Sequence, residues 1–257
     1  MIMKKISFLI TVIFLTCGIT TNAQQQFIDK ATIEFEVKVN NHKSFDSWFD
    51  NNENESSWQE NYKSNVSKYT VSYYDYTFSN NRSIYNFNHL DPKNKSQWDN
   101  DVNYEGNTWY YDYNTGTSAF NRSFWGEDFN FTDSIKDISW KLVPTESRII
   151  AGFNCRKAYT VLFDSVYVFA FYTDEITISG GPVGLHGLPG MILGVTVPRM
   201  YSSWIATKVN VTGVDEKKIV SPAGKKSKTK DEMLKKFMKK AEEDGKWIHK
   251  SIWNLFL

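Results

Sequence analysis

Residues 180–190, Gly-Gly-Pro-Val-Gly-Leu-His-Gly-Leu-Pro-Gly, hold five glycines and two prolines in eleven positions. Such a run cannot form an ordinary helix or strand. Glycine admits positive φ and close backbone approach, while proline fixes φ at its own position. The stretch therefore predicts a well-defined loop with one of two uses. Its amides can line a concavity that accepts a ligand oxygen, or the missing side chains can let another backbone or an aromatic ring pack closely. The contact site expected from sequence is this loop with the acidic pair before it: Asp174, Glu175, Gly181, Pro182, His186, Gly187, Leu188, Pro189 and Gly190.

Acid–base chemistry has few candidates. Asp174 and Glu175 follow a strong strand pattern, and neighbours on a strand point to opposite faces. That makes them a poor general acid–base pair, so no catalytic residue is assigned. A hydrolase built on this chain would have to draw together Asp174, Glu175 and His186. The four histidines, His42, His89, His186 and His249, have no helical or strand spacing between them. Cys155, His186, Met191 and Met200 are the residue types of a soft-metal site such as copper(I), again without characteristic spacing. The chain has no His-Glu-x-x-His, paired-cysteine zinc pattern or calcium loop. Nor has it a nucleophile elbow, phosphate loop or dinucleotide fingerprint. No metal and no cofactor are expected.

The elements that must position the loop are mostly strands. Residues 31–39 alternate, with Ile33, Phe35, Val37 and Val39 on one face. Strand patterns at 68–78 and 82–87, split by Ser79-Asn80-Asn81, predict a hairpin; 108–112 and 117–122 predict another. Ile138, Trp140 and Leu142 alternate up to Pro144, which ends that strand. Segments 148–150, 152–153, 157–163, 165–172, 191–197 and 203–211 continue the meander. Phe45, Trp48 and Phe49 have helical spacing, which predicts a helix near 44–63. Cys155 falls with Phe153, Tyr159 and Val161 on an apolar strand face, as a buried hydrophobe or, alternatively, a reactive thiol. Residues 215–257 are basic: between Asp215 and Lys250 stand twelve lysines against seven acids. Thr229 and Glu232 have capping-box spacing. Leu234, Phe237, Met238 and Ala241 form one helical face, and Trp247 to Phe256 a second piece. The helix either lays its apolar stripe on the sheet or rests on a membrane surface or partner. The fold class expected is mainly β: a twisted antiparallel sheet or open barrel with C-terminal α-helical segments.

Residues 1–23 read as a secretory signal, with Lys4 and Lys5, an apolar run from 6 to 15 and a Thr21-x-Ala23 cleavage site. An acylated Cys17 is the rival interpretation. Cleavage leaves 257 − 23 = 234 residues, read as a single β-rich domain over 24–257. It also leaves 28 basic against 29 acidic residues, since only Lys4 and Lys5 are lost from 30 and 29. A net charge of −1 gives no global attraction to nucleic acid, and no later segment has the length of a membrane span.

Gly187-Leu-Pro-Gly-Met-Ile-Leu193 resembles the signature of the GLPGLI family of exported Bacteroidetes proteins. Further blocks resemble the family in order: Phe131 to Leu142, Glu146 to Ala158, Phe169 to Ile176, and Gly181-Pro182. With a fainter similarity at 69–85, the resemblance covers residues 65–200. Phe171 stands where the family has tryptophan, Thr177 where it has proline, and Met191 where it has leucine. The resemblance implies a periplasmic or outer-membrane-associated location and, as partner, a TonB-dependent outer-membrane receptor. It implies no reaction. The function expected is a non-enzymatic binding or accessory module, with a periplasmic hydrolase or soft-metal protein as alternatives.

Overall fold

The structure is a computed structural model and describes residues 27–47, 57–94, 106–124, 127–163, 165–222, 224, 227–244, 252–255 and 257. The expected signal segment and residues Trp48, Phe49, Trp247 and Ile248 lie outside them. The chain is 51% strand and 21% helix, and eleven strands form one antiparallel sheet that does not close into a barrel. They are β1 (Ala31–Asn40), β2 (Tyr69–Ser79), β3 (Arg82–Leu90), β4 (Thr108–Asp112), β5 (Thr117–Phe124), β6 (Glu127–Ser134), β7 (Lys141–Ile150), β8 (Phe153–Leu162), β9 (Val166–Thr173), β10 (Met191–Val197) and β11 (Ser202–Asn210). Their order across the sheet is β6-β5-β4-β3-β2-β1-β11-β10-β9-β8-β7. Every connection but one joins strands that are neighbours in the sheet. The exception, between β6 and β7, joins the two edge strands.

One face of the sheet carries the core. Ile33, Phe35 and Val37 of β1 are buried, and the register sets Phe35 opposite both Tyr74 and Ala206. The same face continues through Tyr85, Trp109, Phe120 and Phe131 on one side and Val195, Ala170 and Ala158 on the other. The period-2 rule explains the alternation. A second, small cluster on the opposite face joins Tyr110, Ala119, Ile84 and Ile219.

The hairpins follow their turn chemistry. Asn80 and Asn81 both take positive φ, 52° and 56°, as a two-residue turn of the primed type demands. Pro144 does not end a strand. It lies inside β7, where the ladder skips from Val143 to Ser147. That strand is an edge, and a bulged edge can spare the missing amide donor. The predicted strand at Ile138 to Leu142 is corrected accordingly: 135–140 has no regular structure, and β6, immediately before it, went unpredicted. The helix expected near 44–63 is instead two short ones, α1 (Asn41–Asp46) and α2 (Ser57–Asn65). Phe45 stacks on Tyr62, ring centroids 3.9 Å apart.

The last long element is α3 (Lys230–Asp244), followed by a helical turn over 252–255. Its start is the predicted capping box. Glu232 N donates to Thr229 Oγ1 at 3.2 Å, and Thr229 N donates to Glu232 Oε2 at 2.9 Å. Its stripe differs from the expected one: Met233 is buried at 2% exposure, whereas Met238 is 39% exposed. Among the described residues, no helix is long and apolar enough to cross a membrane. Thr229→Ala removes one half of the box and should cost ~1 kcal/mol, read as a lower denaturation midpoint with an unchanged slope.

Candidate functional site

The 180–190 loop is ordered by close approach. It lies against the core face, and every residue from Gly180 to His186 is buried, as are Leu188 and Gly190. A Cβ on Gly180 would fall 2.0 Å from the Tyr76 hydroxyl of β2, and one on Gly184 2.6 Å from that of Tyr111 on β4. Gly190, at φ +122°, leaves its Cβ position 2.0 Å from the carbonyl oxygen of Thr173 at the end of β9. In a flat sheet β4 and β9 would stand about 29 Å apart, six strand spacings of about 4.8 Å. Gly184 and Gly190, six residues apart in a turn-rich loop, touch both. The sheet therefore curls toward the loop, and the missing side chains are what admit it.

Hydrogen bonds then fix the loop. Gly180 O accepts from Ile192 N at 2.8 Å. Ser179 Oγ donates to Leu188 O at 2.7 Å and accepts from Gly187 N at 3.1 Å, clipping the far turn shut. Tyr111 Oη donates to Gly184 O at 2.9 Å. Trp140 Nε1 donates to His186 O at 2.7 Å, tying the loop to the irregular 135–140 segment.

His186 is held on every polar atom. Its Nδ1 lies 2.8 Å from Gly184 O and its Nε2 2.8 Å from Lys136 O. Both neighbours are carbonyl acceptors. A neutral imidazole donates to one of them, and only the cation donates to both. Neither nitrogen has a lone pair turned toward open space, so the ring is placed as a structural clamp. Asp174 and Glu175 are elsewhere. Asp174 forms an exposed ion pair with Arg156 at 2.7 Å, and Glu175 accepts a 3.4 Å bond from Thr173 Oγ1. They share no partner with His186, so the groups a hydrolase would need are not brought together.

The thiol of the soft-metal set is already engaged, since Cys155 Sγ donates to Phe153 O at 3.6 Å. Among the described residues, no group of three or more His, Cys, Asp or Glu could hold a metal ion. Cys155 is fully buried, and burial pushes its thiol up to about 11, which keeps it protonated and inert at neutral pH. The face assigned to it needs correction. Cys155, Ala158 and Thr160 are the buried positions of β8, while Val161 is 41% exposed.

A cavity of about 230 Å³ opens beside the loop. Its walls come from Tyr111 of β4, Ser118 of β5, the end of β6 (Asp133), the 135–140 segment (Lys136, Ile138), the end of β8 (Leu162, Phe163), the loop (Val183 to His186), α3 (Lys230, Leu234) and Leu257. Of the residues expected to bind from sequence, His186 alone lines it.

Lys230 is the residue that sequence reasoning missed. Its backbone is at the surface, but its ammonium points inward and sits 4.6 Å from the ring centroid of Phe120, itself 1% exposed. Among the described residues, Nζ has neither a hydrogen bond nor an ion pair. Burial lowers its pKa to about 8, with Asp133 pulling the other way and Lys136 adding to the fall. The nearest carboxylates are already engaged. Asp133 accepts from the backbone amides of Ser134 and Lys230, and Lys136 spans Asp133 at 3.7 Å and Asp231 at 2.7 Å. A usable signal was present. Lys230, Met233, Leu234 and Phe237 have i, i+3, i+4, i+7 spacing, so one lysine of a basic helix occupies the apolar stripe.

No protein-family model matches the chain, and no curated protein does. Among solved structures it is similar to PNGF-II in two crystal forms. The C2 form gives a TM-score of 0.48 with 14% identity over 78% of this chain, and the P21 form 0.46 with 15% over 82%. The chain spans 31% and 33% of those longer chains. A likeness of that strength transfers neither fold nor activity.

Two outcomes test the site's construction. Gly190→Val should abolish folding, because the branched side chain meets the Thr173 carbonyl. Gly187→Val meets nothing closer than 3.7 Å and should cost only the strain of its positive φ, about 1–3 kcal/mol; circular dichroism and denaturation separate the two. The second outcome concerns Lys230. Below pH about 8 the folded state holds the ammonium charged in a poor environment. Between there and the ordinary lysine value the folded group sheds its proton while the unfolded chain keeps it, so stability rises with pH. Wild type should gain stability relative to Lys230→Met from pH about 8 up to the ordinary lysine value of about 10.4; parallel denaturation profiles would show that the ammonium is solvated.

Proposed function

We propose that this chain is an exported envelope protein of the GLPGLI type, a non-enzymatic binding or accessory module that takes a ligand in the cavity beside the 180–190 loop. The carrying observation is that cavity: a largely apolar chamber with one unpaired ammonium, walled by a loop that tight packing holds rigid. Rigid walls and a few polar groups on an apolar lining are how small-molecule sites are commonly built. Support against a hydrolase comes from His186, whose two ring nitrogens face carbonyl oxygens, and from its separation from Asp174 and Glu175.

Support for the envelope address comes from the sequence. The basic–apolar–small pattern of residues 1–23 is that of a secretory signal. The blocks resembling the GLPGLI family fall on β6 to β10 and the loop, of which β6, the end of β8 and the loop line the cavity. A TonB-dependent outer-membrane receptor is proposed as partner on the resemblance alone.

Two measurements bear on this proposal. Mass spectrometry of the protein from envelope fractions should give a mature N-terminus at Gln24; an intact Met1 in the cytosol would end the export assignment. Cross-linking in native cells should recover one outer-membrane receptor reproducibly, and recovery of nothing above background would remove the partner.

A further inference from the structure

We infer that the cavity is a receptor site for a small amphipathic carboxylate, its anionic end on the Lys230 ammonium and its hydrocarbon body against Leu162, Phe163, Ile138 and Leu234. The inference rests on the cavity being a ligand site and names the class of ligand.

Three observations carry it. The first is shape and lining. A cavity of about 150 Å³ takes benzene, so about 230 Å³ has room for roughly nine non-hydrogen atoms at the same packing. That is the size of a short-chain or aryl carboxylate and far below that of a lipid. The apolar part of the lining includes Ile135, Ile138, Leu162, Phe163, Val183 and Leu185, with Tyr111, Ser118 and Ser134 as neutral polar members.

The second is the lysine itself. Buried charges in proteins are ordinarily paired, because an unpaired one loses its hydration without return. Among the described residues the Lys230 ammonium has the face of Phe120 and the field of Asp133, with no hydrogen bond and no ion pair. A ring face offers a weak site for a cation and leaves the ammonium's three donors unused. A carboxylate at the end of an apolar body supplies what they lack.

The third is the state of the neighbours. The titratable side chains that line the cavity with Lys230 are Tyr111 of β4, Asp133 of β6, Lys136 and Asp137 of the following segment, His186 of the loop and Asp231 of its own helix, and Leu257 lies in the same lining. Asp133 is spent on two backbone amides and on Lys136, and Asp231 on Lys136. Lys136 holds Asp133 and Asp231, and in a lining that also carries Asp137 and Leu257 the Lys230 ammonium is the cation without an ion pair among the described residues.

A carboxylate placed on Lys230 stabilises its charged form. Binding then requires a proton that the free site loses near pH 8. Affinity should be level between pH 6 and 7 and fall by up to about tenfold per unit at higher pH.

The test is calorimetric titration of the mature full-length protein with hexanoate, hexanol and hexylamine, at pH 7 and pH 9. Hexanoate has about eight non-hydrogen atoms and fits the volume. Hexanoate should bind at pH 7 at least tenfold more tightly than hexanol, lose most of that advantage at pH 9, and lose it at both pH values in Lys230→Met. Lys230→Gln, which keeps a polar end, is the second variant should methionine disturb folding, and the pH comparison needs no variant. Equal binding of hexanoate and hexanol would overturn the carboxylate while leaving the cavity as a ligand site. Tighter binding of hexylamine would overturn it too, by showing that the carboxylates set the field. Binding of none of the three would remove both the inference and the cavity reading beneath it.

Discussion

The fit of the 180–190 loop against the inside of the curled sheet is the constraint on which the rest depends. Eleven antiparallel strands, one face lined with aromatic rings, cannot leave that face to water. The sheet does not close, so side chains from opposite walls do not fill the interior by themselves. A stretch of backbone fills it. Backbone is thin enough only where side chains are absent, and it happens at the positions where Tyr76, Tyr111 and the Thr173 carbonyl press closest. Glycine here is a volume requirement first and a conformational one second. At Gly180 only the volume matters, whereas Gly190 needs the positive φ as well.

Filling an aromatic interior with backbone has a polar consequence. The loop brings carbonyls and amides into a region with little water, and each needs a partner. Tyr111, Trp140, Ser179 and His186 provide several of them, which is why polar-tipped rings rather than plain phenylalanines face the loop. The arrangement is not complete: the hydroxyl of Tyr85 and the indole nitrogen of Trp109 are buried without a hydrogen-bond partner. Burial raises the tyrosine pKa values accordingly, that of Tyr76 to about 12, so these hydroxyls stay neutral donors throughout the physiological range.

The sheet was legible in the sequence wherever local rules agree with tertiary ones. The alternation at β1, the Asn-Asn turn, the bounds of β10 and the Thr229–Glu232 box all follow from contacts within a few residues. Legibility failed where pairing partners decide. Residues 127–134 become β6 because β5 lies beside them, though Glu, Asp and Asn interrupt any apolar pattern. Pro144 is admitted into β7 because that strand is an edge, and nothing local announces an edge. The loop was visible as a defined structure, and the sequence left open whether its glycines admit a ligand or a neighbouring ring. Contacts of 2.0–2.6 Å at Gly180, Gly184 and Gly190 give the second use. The cavity lies beside the loop, and its walls come from segments as far apart in the chain as Tyr111 and Leu257, a distance over which no spacing rule operates.

Lys230 is where stability and placement pull in opposite directions. The helix it begins must bury Met233, Leu234 and Phe237, and the capping box at Thr229 sets the rotation of the first turn. Once that rotation is fixed, position 230 faces inward whatever residue occupies it. An apolar side chain there would extend the stripe and remove a charge that burial disfavours. Asp133 cannot rescue it, because that carboxylate already closes the helix start through Lys230's own amide and holds Lys136. The fold thus keeps a cation that burial disfavours in the lining of the cavity, in a place where leucine would pack and the proposed anion would pair with it. A group that burial disfavours, that no described residue hydrogen-bonds or ion-pairs and that lines a cavity of ligand size is accounted for by the proposed anion, since packing alone argues for its replacement.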